Sequence, residues 1–412
     1  MTDSPAGIEL RPVTSGEMPA LFETVERSFG ADVSADTAPY EIAALQPERT
    51  LAGFDGDRMI ATAGIFTFDM TVPGGPAPVA GVTWVGVLPT HRRRGILTAI
   101  MRRQLTELHE AGGEAVAALW ASEPVIYRRF GYGLAAVRVG VKAESSSPFA
   151  PGAPALSGTL RMVEAKECRQ VAEELYDRIR VDRPGLISRD TARWDVAFLD
   201  VESVREGSSS LTCVVVDTSA GPEGYLLYRT KREFGPTGPN GTVQVRELMA
   251  TTPSAYAALW RYVLDIDLMR TVQAWNRPVD DPVLYLLGDV RRAQPALGDA
   301  LWVRLVDVGR ALAARTYSVA GSVVLEVVDH TCPWNAGRVR LDGGPDGATC
   351  TPTDASADLT LSATELGSAY LGGTRLTHMA AAGYVDEHTP GALDLADRMF
   401  TGRVAPWCAE VF

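Results

Sequence analysis

The chain has 412 residues, 46% hydrophobic and 22% charged, with 51 acidic against 39 basic side chains and a net charge of −12. That length exceeds what one hydrophobic core serves and points to two or three domains, while the composition is that of an ordinary globular interior and excludes disorder. The surplus of acid argues against nucleic acid as the principal partner, because phosphates are repelled outside a local basic patch; it suits a cationic substrate, and equally solubility alone. Residues 1–9 lack the basic and apolar regions of a secretory leader and no apolar run is long enough to span a bilayer, so a cytoplasmic protein with no membrane partner is expected. Cys168, Cys213, Cys332, Cys350 and Cys408 are odd in number, scattered and never in a C-x-x-C pair. Reduced, buried thiols are therefore expected rather than a disulfide frame or a zinc site.

Ile8 to Val13 alternates as a first strand, and Thr14 or Ser15 can cap a helix that starts near Gly16 and carries Met18, Leu21, Phe22, Val25 and Phe29 at helical spacing. The segment from Phe29 to Tyr40, with Asp32 and Asp36, reads as a loop. Thr50 to Phe54, Arg58 to Asp69 and Val79 to Val87 read as strands, the first two joined by an Asp55-Gly56 turn. Val85 to Thr98 then runs Val-Gly-Val-Leu-Pro-Thr-His-Arg-Arg-Arg-Gly-Ile-Leu-Thr, the pattern of a strand, a tight loop and a helix start. Such a junction binds anions: the unpaired N–H groups of the first helical turn and the macrodipole face whatever sits there. Arg92, Arg93 and Arg94 add whole charges, Gly95 presents no Cβ, and a diphosphate fits. Ile96, Leu97, Ile100, Met101, Leu105 and Leu108 form the buried stripe of the helix, which ends at Gly112-Gly113.

Ala115 to Trp120 is the next strand. Ser122 is placed to cap a short helix holding Pro124 to Phe130, and Gly131-Tyr132-Gly133 stops it. Ser145 to Gly158, rich in Ser, Pro and Gly, reads as a linker. After it the chain begins again: Leu160 to Val163 and its helix echo Leu10 to Val13, and Val243 to Leu248 followed by Thr252-Pro253 and a helix echoes the strand and helix around Gly95. The echo has no arginine run and no glycine at the helix start, so it lacks the charge to hold a diphosphate. From about Pro295, Leu301 to Val306, Ser322 to Val328, Arg338 to Leu341 and Ala357 to Leu361 alternate as strands, with Asp342-Gly343-Gly344 as a turn and helices at Ala363 to Tyr370 and Ala392 to Phe400. The fold class is α/β (α+β), in three parts: 1–145, 155–295 and 296–412.

The run from Val85 to Leu97 resembles the acetyl-CoA signature of GNAT-type N-acetyltransferases, with its core at Arg92 to Leu97; Leu97 stands where that family usually has Gly or Ala. Ile126 to Tyr132 resembles the family's second signature, in which a tyrosine, here Tyr127, stands beside the thioester sulfur. Asp358 to Leu366 and Ala392 to Phe400 resemble the sterol-carrier-protein-like fold. The whole order, an acetyltransferase domain, a cofactorless copy and a sterol-carrier-like domain, is similar to the Eis (enhanced intracellular survival) family.

That resemblance implies acetyl transfer from acetyl-CoA to primary amines of aminoglycosides or lysine side chains, by a homohexamer, with Tyr127 as acid and the terminal carboxylate of Phe412 as base. It implies a cofactor site of Val85, Gly86, Val87, Arg92, Arg93, Arg94, Gly95, Ile96, Leu97, Thr98, Ser122 and Glu123, and an acceptor wall of Phe29, Asp32, Asp36 and Trp84. The chemistry asks for these parts. A primary ammonium, pKa about 10, must lose a proton before it attacks a thioester, and the leaving thiolate, whose thiol has a pKa of about 8.5, gains from a proton donor. An α-carboxyl, pKa about 3.5, is a poor base unless burial raises that value; without that it orients the amine or relays through water. His91, His109, His330, His378 and His388 form no metal-ligating pattern, and no metal is expected. A binding protein for an apolar ligand, built on the third part, is the competing class.

Overall fold

The computed structural model describes residues 5, 7–155, 158–236 and 238–412. Of the segments read above, 1–4 and 6 of the N-terminus and 156–157 of the linker lie outside the described residues. Ile8–Arg11 (β1) leads through a turn closed by a Thr14–Glu17 capping box, with the Thr14 amide donating to Glu17 Oε2 at 2.8 Å, into Met18–Phe29 (α1). Ala38–Ala43 (α2), Thr50–Asp55 (β2), Arg58–Val72 (β3), Gly75–Val87 (β4), Ile96–Ala111 (α3), Val116–Trp120 (β5), Pro124–Arg128 (α4), Gly133–Leu134 (β6) and Val137–Glu144 (β7) follow. The second part repeats that order. It runs Thr159–Val163 (β8), Ala165–Arg180 (α5), Thr191–Ala197 (α6), Thr212–Thr218 (β9), Gly221–Lys231 (β10), the hairpin Phe234–Gly235 (β11) and Gly238–Pro239 (β12), Gly241–Ala250 (β13), Pro253–Leu264 (α7), Met269–Pro278 (β14), Val283–Leu286 (α8), Ala296–Asp299 (β15) and Leu301–Leu305 (β16). The third holds Val308–Ala313 (α9), Gly321–Val328 (β17), Gly337–Gly344 (β18), Gly347–Pro352 (β19), Leu359–Ser362 (β20), Ala363–Ala369 (α10), Leu376–Ala381 (α11), Val385–Glu387 (β21) and Ala392–Phe400 (α12).

The first sheet is ordered β1-β2-β3-β4-β5-β16-β6 and the second β8-β9-β10-β13-β14-β7-β15. Each copy keeps six of its own strands and takes the sixth in sheet order from the other. β7 leaves the first copy to pair with β14 and β15, and β16 leaves the second to pair with β5 and β6. Leu301 to Val306, read from sequence as the opening strand of the third part, is thus in the first sheet, buried along its whole length from Leu301 to Leu305. Alternation reports that a strand is buried; it carries no information on which sheet buries it. The exchange fixes the two copies to each other, since neither sheet is complete without a strand of the other.

The third sheet is ordered β19-β18-β17-β20-β21. Val323, Leu325, Val327, Leu341, Leu359 and Leu361 pack one of its faces against Leu366, Tyr370, Met399 and Phe400, in a core continuous with Val116, Ala118, Leu301 and Val303 of the first sheet. The expected turn at Asp342 to Gly344 is strand instead: β18 runs through Gly344, which pairs with Gly347, and the chain reverses at Pro345-Asp346. Among the described residues no helix is long and apolar enough to cross a membrane.

Candidate active site

The site starts from a fork in the first sheet. β4 and β5 run parallel and pair at Val79–Val116, Ala80–Ala117 and Gly81–Ala118, and there the pairing ends. From Val82 to Val87, β4 keeps β3 on one side and, among the described residues, has no strand on the other. The β3–β4 register slips between Thr62 and Gly64, opposite Trp84 and Val85, and Trp84 takes φ +51, a left-handed conformation that a bulky side chain holds only when its surroundings force it. Thr62, fully buried, supplies that force: its hydroxyl donates to the Trp84 carbonyl at 2.7 Å. The bulge turns β4 away from β5 and leaves backbone donors and acceptors lining the fork, ready to pair with an extended ligand.

At the open end of β4 comes the α3 start. Gly95 is its N-cap, at φ +82, and among the described residues no side chain caps the first turn, so the amides of Ile96, Leu97 and Thr98 face outward for an anion. Arg93 and Arg94 are exposed beside it, Arg93 in a strained left-handed conformation at φ +62. Arg92 is engaged elsewhere: its Nε donates to the Val87 carbonyl at 3.1 Å and its Nη2 to the Ser28 carbonyl at 2.6 Å, tying the end of α1 to the end of β4. Gly86 is a glycine for the same contact, since a Cβ there would overlap the Ser28 hydroxyl. Leu97 turns inward and packs against the cluster holding Leu105, Leu119 and Tyr127. Ser122 is not the cap of α4, as expected; Glu123 is, in extended conformation and without a capping side-chain bond.

Between the fork and α1 lies a cavity of about 150 Å³, lined by Val25, Glu26, Phe29 and Val82 to Val85, with Trp120, Ser122, Tyr127 and Phe412 closing it. Tyr127 is 5% exposed, and burial, with Glu123 nearby as a smaller cause, pushes its phenol up to about 12. Phe412, the last residue, reaches this cavity because the tail after α12 is docked. Arg183 donates to the Ala405 carbonyl at 2.8 Å, the Trp407 amide donates to the Pro184 carbonyl at 2.8 Å, and Asn276 bonds both the Trp407 indole and the Cys408 carbonyl. The Phe412 ring meets Phe68 edge-on at 4.9 Å.

The structure therefore brings Tyr127, Phe412, Trp84, Val85, Ser122 and Phe29 to one cavity. Asp32 and Asp36 are not there: both are exposed, and Asp36 accepts from Ser203 at 2.7 Å, clasping its loop to the second copy. The acid in the cavity is Glu26, whose carboxyl burial raises above the ordinary range. A signal for it exists in the sequence, where Phe22, Val25, Glu26 and Phe29 fall at i, i+3, i+4 and i+7, so that Glu26 interrupts an otherwise apolar face. Trp120, at the end of β5, also lines the cavity, although the strand pattern of Ala115 to Trp120 marks it only as a strand residue. Among the described residues, no group of three or more His, Cys, Asp or Glu is placed to hold a metal ion.

In the second copy, β13 and β14 fork in the same way after Gln244–Gln273. That fork is filled. Arg277 crosses it, donating to the Leu248 carbonyl at 3.1 Å and to Asp281 at 2.6 Å, and its guanidinium lies 5.0 Å from the Trp407 ring.

Residues 9–135 match an acetyltransferase (GNAT) domain family, residues 185–305 a second acetyltransferase (GNAT) domain family and residues 308–409 a sterol carrier protein domain family. The N-acetyltransferase Eis of Mycobacterium tuberculosis is 34% identical over 385 residues, covering 90% of each chain. This chain belongs to the Eis family of GNAT N-acetyltransferases. The crystal structure of Eis1 from Mycobacterium abscessus has a TM-score of 0.84 and 33% identity, covering 98% of this chain and 100% of that one. An uncharacterised N-acetyltransferase of Streptomyces avermitilis is 43% identical over 409 residues, covering 98% of this chain and 99% of its own. As an Eis-family enzyme the protein is an acetyltransferase, and its fold implies acetyl-CoA as co-substrate. The residues fit that group: an unpaired strand edge for an extended amide chain, and an uncapped helix start with two exposed arginines for a diphosphate.

Proposed function

We propose that this Eis-family enzyme transfers the acetyl group of acetyl-CoA to a primary amine of a cationic acceptor, aminoglycoside-like or a lysine side chain, in the cavity between α1 and the β4–β5 fork. The observation that supports it is the convergence on that cavity of a protonated phenol, Tyr127, and the chain's last residue, Phe412, with Glu26 beside them. Glu26 and the terminal carboxylate supply negative charge for an ammonium. The Phe412 carboxylate orients the ammonium and relays its proton to water, and the free amine attacks the thioester carbon. A backbone amide of the Val85 to Val87 stretch steadies the carbonyl oxygen as it gains charge. The C–S bond breaks, the sulfur takes the electron pair while Tyr127 donates a hydrogen bond to it, and the second proton of the attacking nitrogen leaves to water by the same relay, giving the amide and a CoA thiolate that takes a proton from water.

Arg93, Arg94 and the first-turn amides of α3 hold the diphosphate in this reading, and Arg92 braces the loop. One co-substrate binds per chain, because Arg277 fills the second fork. Assembly as a homohexamer in the cytoplasm belongs to the same reading and rests on the family resemblance. The apolar-carrier alternative gains no support, since the interior of the third part is packed with Leu325, Leu361, Tyr370 and Phe400. The test is acetyl-CoA turnover against polyamines, aminoglycosides and lysine peptides: CoA release matched by acetylated amine is expected, and acetyl-CoA binding without turnover on any amine would overturn the reading.

A further inference from the structure

The tail that ends in the first copy's cavity is anchored in the second copy. Glu410, two residues before the terminus, accepts from Arg189 Nε at 2.6 Å and forms an ion pair with Arg193. Arg189 has a side chain only 2% exposed and grips Glu247 with both of its terminal nitrogens, at 2.6 and 3.1 Å; Glu247 also accepts from Tyr225. The Arg193 guanidinium carbon lies 4.4 and 5.2 Å from the ring centroids of Phe66 and Phe68, and Phe68 is the ring that meets Phe412. The result is a buried line of alternating charge, Glu247, Arg189, Glu410, Arg193, that crosses from the second copy to the tail and ends at Phe68, the ring that meets the last residue. Two positive and two negative groups balance, yet such a network repays its desolvation poorly and an apolar packing would serve stability as well. What it supplies is position.

Chain ends ordinarily fray. With Glu410 fixed, two residues remain, and their reach is about 7 Å. We propose that Arg189 and Arg193, both from the copy whose fork is filled, are positioning residues that hold Glu410 so that the terminal carboxylate stands in the acceptor cavity of the other copy. This rests on the reading of that carboxylate as an acting group. It gives the second copy a part in the reaction: it supplies the anchor for the tail, and through Ser203 it also clasps the loop carrying Asp36 beside α1.

The test uses six variants of the full chain: deletion of Phe412, Arg193→Gln, Glu410→Gln, Arg193→Gln combined with Glu410→Gln, Arg193→Gln combined with the deletion, and Arg193→Lys. Misplacing a group in a reacting geometry should lower kcat by ~10-fold or more in each of the first three, with the KM for acetyl-CoA within about twofold of wild type. The double variant should be no less active than Glu410→Gln alone, because that substitution already removes the Arg193 pair along with the Arg189 pair. Arg193→Gln should add nothing in the chain lacking Phe412, should make the tail more open to carboxypeptidase, and should be partly rescued as Arg193→Lys. If Arg193→Gln does not fold, Glu410→Gln, on the tail itself, decides by the same kcat and carboxypeptidase readings. Loss of activity on deleting Phe412 together with near-normal kcat in the point variants, or with additive losses, would overturn the positioning role and leave the carboxylate in place. Full activity without Phe412 would instead remove the carboxylate from the mechanism, and the positioning role with it.

Discussion

Tyr127→Phe removes one oxygen from the cavity and leaves the ring in the cluster with Leu105, Leu119 and Phe130. The size of the expected effect follows from the burial of the phenol. With its pKa pushed up to about 12, Tyr127 keeps its proton at any working pH. Handing it outright to a thiolate of pKa about 8.5 would be uphill by about 3.5 units, or about 5 kcal/mol. A hydrogen bond to the sulfur as charge develops carries no such penalty, and a bond to a charged group is worth about 1.5–3 kcal/mol, which is ~10- to 150-fold in rate. The variant should therefore lose kcat by that factor at saturating acetyl-CoA, measured by release of free thiol, while the calorimetric affinity for acetyl-CoA is unchanged. Since the proton stays on until about 12, the ratio of wild-type to variant kcat should be flat from about pH 6 to about 9. A loss under about threefold would reduce Tyr127 to packing, and a ratio that collapses within that range would show a phenol that ionises, against the burial argument.

Arg93→Ala with Arg94→Ala should raise the KM for acetyl-CoA by ~10-fold or more and flatten its dependence on salt, whereas Arg92→Ala should act chiefly on stability, because its donors are spent on Val87 and Ser28. Calorimetry should give one acetyl-CoA per chain; two equivalent sites would contradict the filling of the second fork by Arg277. Gly86→Ala forces a methyl against Ser28 on α1 and should cost about 1–3 kcal/mol in urea unfolding, partly recovered by Ser28→Ala; a neutral result would show that α1 yields freely. Stability should fall at alkaline pH. Tyr127 has a folded-state pKa above its unfolded value near 10, so its contribution is complete below about pH 10 and is lost as pH rises towards about 12, and burial pushes Tyr132, Tyr176 and Tyr256 in the same direction. Urea midpoints that stay level across that range would refute this.

The sequence by itself determined whatever depends on neighbours along the chain. The α3 start with its arginines and Gly95, the α4 tyrosine, and the repeat of the first order of elements in the second part are all local patterns of charge, periodicity and capping. Even Glu26 was within reach, as a break in the apolar face of α1. The tertiary structure alone decided which surfaces those patterns meet. Alternation could not tell that β7 and β16 change sheets, because a strand reads the same in either. The charges on Arg92 and Asp36 could not tell that one braces a carbonyl and the other clasps a distant serine, because a side chain's work is set by the nearest complementary atom in space. The anchoring of Glu410 by Arg189 and Arg193 joins residues that no spacing connects; it exists because folding both copies and the third part onto one another carries the end of the chain back to the beginning.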